Sequence, residues 1–225
     1  MISQPPVTGG PQPATTLATP LRLRSGRTLT VRPFDFTSVA DYEKVVAIDN
    51  AIDPEHADSV ENWMHWDANR NPEHLLRRFI AERDGETVAY GQFGHNQWSH
   101  REDKYFLWIG VHPDHQGKGY GSALWDDLMD RLMKREPGEL VSFTRENRTR
   151  AVRFLENRGF EQVMRYQVSR INPQAFDPLP FAEKVARVEQ SGIAIKTLAQ
   201  LQEEDPDWLQ KTYDLHWETV QDVPS

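Results

Sequence analysis

Residues 112–125 read HPDHQGKGYGSALW, which places Gly117, Gly119 and Gly121 at alternate positions around Lys118. A backbone this bare lets the main chain approach a ligand closely. Leu124, Leu128 and Leu132 follow at helical spacing, so the glycines stand where a helix begins. Several N–H groups then point outward with a partial positive charge behind them, and Lys118 adds a full one. The chemistry is anion binding, with phosphate the natural anion. A plain tight turn would need one or two glycines, not three in five positions.

Two nucleotide motifs fail on this stretch. A Walker A loop needs G-x-x-x-x-G-K-[ST], but Lys118 is followed by Gly119, and His112 occupies the position five before Gly117. A dinucleotide fingerprint needs G-x-G-x-x-G, and Gly121 comes one residue too early. His112-Pro113-Asp114-His115 has the wrong spacing for a two-histidine helix site and no third ligand beside it, so no metal is expected.

The surrounding pattern supplies the elements that hold this loop. RTLTVRPF (27–34) alternates as a strand. Thr37 or Ser38 caps a helix carrying Val39, Tyr42, Val45, Val46 and Ile48. IDPEHADS breaks it, and VENWMHWDANRN is a second, shorter helix. Trp63, Trp66 and Trp98 read first as core and second as walls of an acceptor pocket. LRRFIAERDGETVAYGQFG is a hairpin with a DG turn. KYFLWIGV (104–111) is apolar on both faces, as a central strand is. A helix over 122–135, a strand over 140–144, a helix stopped by Gly159 and a strand over 160–171 complete a mixed α/β domain at 27–171.

Gln116-Gly117-Lys118-Gly119-Tyr120-Gly121 resembles the Q/R-x-x-G-x-G/A signature of the GCN5-related N-acetyltransferases, and Ala151 to Phe160 (AVRFLENRGF) resembles that family's second motif. The order β-α-α-β-β-β-α-β-α-β is the family's order too. The resemblance implies its acyl-CoA acyltransferase fold: a central mixed sheet flanked by helices, here with a C-terminal strand–helix extension. It also implies acetyl-CoA as cosubstrate. The pyrophosphate would lie on the N–H groups of Gln116, Gly117, Lys118, Gly119, Tyr120, Gly121 and Ser122. The pantetheine arm would run along Ile109 to Val111, flanked by Asn147, Ala151 and Phe154.

The implied reaction moves an acetyl group to the amine of a small molecule, or to a protein N-terminus or lysine, by direct attack in a ternary complex. Main-chain N–H groups near Val111 would polarise the thioester carbonyl, and a base would take the amine proton. The family's motif tyrosine is replaced by Leu155 and its asparagine by Arg148, with Asn147 one position further back. Tyr166 is a substitute acid. Glu55, His56, His95 and His100 are candidates for the base, and each also reads as a solvated loop residue. Asp49, Asp53, Glu55, Asp58 and Glu61 cluster in sequence near the presumed acceptor side and would attract a cation. The rival reading is a non-catalytic acyl-CoA-binding sensor or interaction module, which Leu155 and a strand 104–111 without an acid both favour.

The 225-residue chain has no cysteine, which excludes disulfides and cysteine-ligated metals. A net charge of −8 opposes a nucleic-acid partner, and no run of apolar residues reaches membrane-spanning length. Residues 1–26, rich in Pro, Thr and Gly, read as a disordered arm and not as a signal peptide, so a cytoplasmic location is expected. Residues 172–225 read as a linker and a partial repeat of the domain's start: helix, strand (Ile193, Ile195), helix. This resembles tandem acetyltransferases. A lone strand and helix cannot bury their own apolar face, so the tail would pack on the domain or on a second subunit, giving a homodimer.

Overall fold

Alternating Leu29 and Val31 build strand β2 (Thr28–Pro33), and both side chains are fully buried. The computed structural model describes residues 18–23, 26, 28–97 and 101–220. They fall into two units, one ending at Glu161 and one beginning at Gln162. In the first unit a six-stranded sheet runs in chain order, β1 (Thr19–Arg22), β2, β3 (Leu76–Arg83), β4 (Glu86–Gly94), β5 (Lys104–Val111) and β6 (Glu139–Val141). Every pairing is antiparallel except β5 with β6, which is parallel.

Local chemistry sets the element boundaries. Ser38 caps α1 (Val39–Ile52) by accepting from Asp41 N–H, and Ser59 caps α2 (Val60–Ala68) by accepting from Asn62 N–H. The β3–β4 hairpin turns at Asp84 and Gly85, both at positive φ, as a two-residue type I′ turn requires. Helix α3 (Tyr120–Met133) buries Leu124, Leu128 and Leu132 against one face of the sheet, with Leu29, Phe79, Ala89 and Leu107. Helices α1 and α2 cover the other face, where Tyr42, Val45 and Ile48 meet Ile80, Tyr90 and Trp108. Helix α4 (Thr149–Glu156) follows β6, and its Phe154 and Leu155 pack on the α3 side.

Four expectations are corrected. Thr19–Arg22, inside the segment read as a disordered arm, is a strand whose Leu21 faces Leu29; residues 1–17 of that arm lie outside the described residues, as do Trp98 and His100. The strand expected over 140–144 ends at Val141. Residues 160–172 form no strand, and Val163 is 87% exposed. Residues 192–197, with Ile193 and Ile195, form none either. Alternation describes a face, but a strand also needs a neighbour for its ladder, and neither segment has one among the described residues. The second unit carries α5 (Ala182–Gln190), α6 (Leu198–Glu204), with a reciprocal Thr197–Gln200 capping box, and α7 (Trp208–Val220).

Candidate active site

The site is built where β5 and β6 part. β6 pairs with β5 only from Lys104↔Glu139 to Phe106↔Val141. On its other side β5 stays paired to Val111, and His112 N–H donates to Val88 O at 3.0 Å. Bonded and non-bonded pairs alternate in an antiparallel ladder. Gly110 and Trp108 therefore also turn their main-chain groups toward β4, while Ile109 and Val111 turn theirs to the side β6 has left. These N–H and C=O groups form an open strand edge, and Gln116 Nε2 donates to Val111 O at 3.2 Å at its end.

The glycine loop continues from that edge. Pro113–His115 form a single 3-10 turn, Gly117 and Gly119 take φ of +77° and +88°, and Gly119 is the N-cap of α3. A side chain at either φ would be strained. Among the described residues no main-chain carbonyl accepts from the N–H groups of Gly117, Lys118, Gly119, Tyr120, Gly121 or Ser122. That run of donors stands on the positive end of a 14-residue helix. Gly121 lies close enough to β5 that a Cβ would sit 3.3 Å from Val111 Cγ2.

Side chains brace the loop and add charge. Lys118 Nζ donates to Asp114 O at 2.7 Å, and His115 Nε2 stands 3.1 Å from Glu86 Oε1 on the hairpin. Tyr120 is buried, and its hydroxyl accepts from Arg83 at 2.6 Å. Arg158 lies 3.5 Å over the Phe154 ring and donates to Ser122 Oγ at 3.2 Å. The Arg150 guanidinium is exposed against Gly117, where an added Cβ would be 3.2 Å from its Nη1.

The opposite wall is the C-terminal end of α1, tied to the β6–α4 loop. Asp53 Oδ2 forms ion pairs with Arg145 at 2.6 Å and Arg148 at 3.4 Å, and Arg148 also donates to Ile52 O at 3.2 Å. Arg148, which stands where the family motif has asparagine, is therefore a structural cross-tie. One turn before Asp53, Asp49 accepts from the Tyr90 hydroxyl at 2.6 Å. Burial raises the Asp49 carboxyl above its ordinary range, the Tyr90 bond partly opposing this, and Arg148 is among the charges that act on it.

The sequence-derived residues divide accordingly. Ile109, Val111 and the run Gln116 to Ser122 converge at the open edge and the α3 N-terminus. Phe154 packs beside them against Trp125, their ring centroids 5.7 Å apart. Ala151 lies on the same helix, and Asn147 is exposed in the turn before it. His56 Nδ1 accepts from Arg145 at 2.7 Å, which makes it part of the cross-tie, and Glu55 is exposed beside it. His95 lies at the opposite end of β4, buried against Tyr105 and accepting from Leu75 N–H at 3.3 Å, which accounts for it structurally. Tyr166 is 67% exposed in the second unit. Asp49, Arg145 and Arg150 were not singled out in the sequence as single residues of the site. Asp49 was named only as a member of the acidic cluster placed near the presumed acceptor side.

The chain is similar to known proteins. The family model described as "Acetyltransferase (GNAT) family" matches residues 38–160. An acetyltransferase of Yersinia pestis is 29% identical over 127 residues, covering 54% of this chain and 82% of its own. Among solved structures, a ribosomal-protein-alanine N-acetyltransferase from Brucella melitensis is 18% identical, covering 64% of this chain and 99% of its own at a TM-score of 0.48. The aminoglycoside N-acetyltransferase AAC(6')-Iy, in complex with CoA, is 18% identical, covering 66% and 98% at a TM-score of 0.49. With the family model spanning more than half of its length, from the cap of α1 through the Gly-Phe that closes α4, this chain belongs to the acetyltransferase (GNAT) family.

Proposed function

We propose that this protein binds acetyl-CoA at the glycine loop and the open β5 edge and catalyses transfer of the acetyl group to the amine of a small molecule. One observation carries the reading: the N–H groups of Gly117 to Ser122 have no main-chain acceptor and point from the positive end of α3. They suit a pyrophosphate, with Arg150 alongside. The main-chain groups of Ile109 and Val111 suit the amides of a pantetheine arm, which would pair as a short extra strand.

Acetyl-CoA supplies the activated acyl group when bound. An N–H of the open edge is placed to polarise the thioester carbonyl. Asp49, whose carboxyl burial raises above its ordinary range, accepts the proton of the attacking amine directly or through one water. The new bond is C–N, and the bond broken is C–S. A thiol of pKa about 8.5 leaves as thiolate with little help, so the absence of the motif tyrosine at Leu155 is tolerable.

The test is thermal unfolding with and without acetyl-CoA, alongside free-thiol release with an amine panel. At ~100 times Kd the wild type should gain about 2.7 kcal/mol. Gly119→Glu should gain nothing. Gly192→Glu, in the second unit, carries the same charge at a similar φ with nothing within 4 Å of the added Cβ, and should keep the gain. A wild type that does not respond rejects the reading.

A further inference from the structure

On the α1–α2 face of the sheet, a cavity of about 190 Å³ is lined by Asp58, Trp63, Trp66, Asp67, Arg78 and Gln92. Its charges do not cancel. Arg78 is 5% exposed and bonds Asp67 through both terminal nitrogens, at 2.8 and 3.3 Å, so this pair is internally neutralised. Asp58 is the charge left over. Its Oδ1 accepts from Ser59 N–H and Asn62 Nδ2, both at 2.8 Å, while nothing among the described residues donates to its Oδ2.

Asp58 is held there by design of the neighbouring helix. Asn50 on α1 donates to Asp58 O at 2.9 Å and accepts from Asp58 N–H at 2.8 Å, so one amide locks both main-chain groups. The two indoles differ in the same way. Arg78 lies 4.9 Å over Trp63, whereas Trp66 is 58% exposed and has no cation over its ring among the described residues. A free carboxylate oxygen and a free indole face in one small cavity form a site for an organic cation.

The cavity wall packs toward strand β5 through a row of rings. Trp63 meets Tyr90 at 6.0 Å between centroids, and Tyr90 meets Trp108 at 4.7 Å. Gln92, in the cavity wall, is the cross-strand partner of Trp108, three residues before Val111 at the open edge. Strand geometry puts that span on the order of 10 Å. We propose that the acceptor carries a second, protonated ammonium group, held between Asp58 and Trp66, while its neutral amine reaches the β5 edge. This rests on the acetyl-transfer reading and narrows it to diamine-like acceptors.

The test titrates the tryptophan fluorescence of the full chain with tetramethylammonium chloride. The uncharged tert-butanol, similar in size, and sodium chloride serve as controls. A saturable change with tetramethylammonium alone is expected, weakened about fivefold in both Asp58→Asn and Trp66→Leu. The same samples are scanned with acetyl-CoA, which shows that each variant is folded. In turnover, diamines should exceed monoamines in kcat/KM, and tetramethylammonium should compete with the amine and not with acetyl-CoA. No tetramethylammonium response, an equal response to tert-butanol, or an unchanged response in both variants overturns the proposal. If that happens with the acetyl-CoA stabilisation intact, only the cation site fails; if the acetyl-CoA stabilisation is lost, the loop reading fails.

Discussion

The Tyr90 hydroxyl donates to Asp49 Oδ1 at 2.6 Å, joining the middle of β4 to the last turn of α1 at the mouth of the site. Burial raises both groups above their ordinary ranges. For a carboxyl the sign is unfavourable above its titration. Between the unfolded and the higher folded pKa the native state holds the extra proton, so stability falls as pH rises through that window and stays lowered above it. Relative to Asp49→Asn, the wild type should lose stability from the ordinary carboxylate range upward, read by urea melts across pH 4 to 8, values chosen to bracket carboxylate titration. A flat difference would contradict the assignment. Tyr90→Phe removes a bond that favours the carboxylate, so the acidic limb of kcat/KM should move to higher pH.

Arg150 stands against Gly117 with no side-chain partner among the described residues. Arg150→Ala should raise the KM for acetyl-CoA several-fold, leave kcat near the wild type and lessen the salt dependence of binding, because the lost interaction is an exposed charge–charge one. Steady-state kinetics at two ionic strengths reads this. An unchanged KM would place Arg150 outside the phosphate site.

Arg78 sits within 4.7 Å of the Phe34 ring centroid and 4.9 Å of that of Trp63, and bonds Gln92 at 2.8 Å as well as Asp67. Arg78→Met strands Asp67 with the Tyr42 hydroxyl as its remaining partner and should cost about 3–5 kcal/mol, as breaking a buried pair from one side does. Adding Asp67→Leu should recover part of the loss. Denaturant unfolding of the three variants decides; a double variant no better than the single one would mean that packing, and not the stranded carboxylate, carries the cost.

Gly91 and Gly94 on β4 should respond unequally to alanine. At Gly91 a Cβ would stand 2.6 Å from Leu128 Cδ1, the tip of a side chain that can rotate. At Gly94 it would overlap the Leu75 carbonyl oxygen, which is main chain. Gly91→Ala should cost about 1–3 kcal/mol, and Gly94→Ala more. Comparable melting temperatures for the two variants would show that the 75–76 segment yields.

The sequence by itself determined the elements whose causes are local. Ser38 and Ser59 cap their helices, Asp84-Gly85 turns the hairpin, Leu124, Leu128 and Leu132 face one way because they are four apart, and the glycines of 117–121 mark the bare turn that opens α3. Each depends on residues within a turn or two of one another. The tertiary structure decided what depends on distant partners. The early end of β6 at Val141 opens the β5 edge. Asp49 owes its raised pKa to burial in the fold, with Tyr90, 41 residues away, as its hydrogen-bond partner, and Asp58 has its main chain fixed by Asn50 across a helix break. The alternation at 160–171 promised a strand, but period alone supplies no neighbour to complete a ladder. Pairing, burial and charge compensation are properties of the folded arrangement, and the chemistry of this site is set by them.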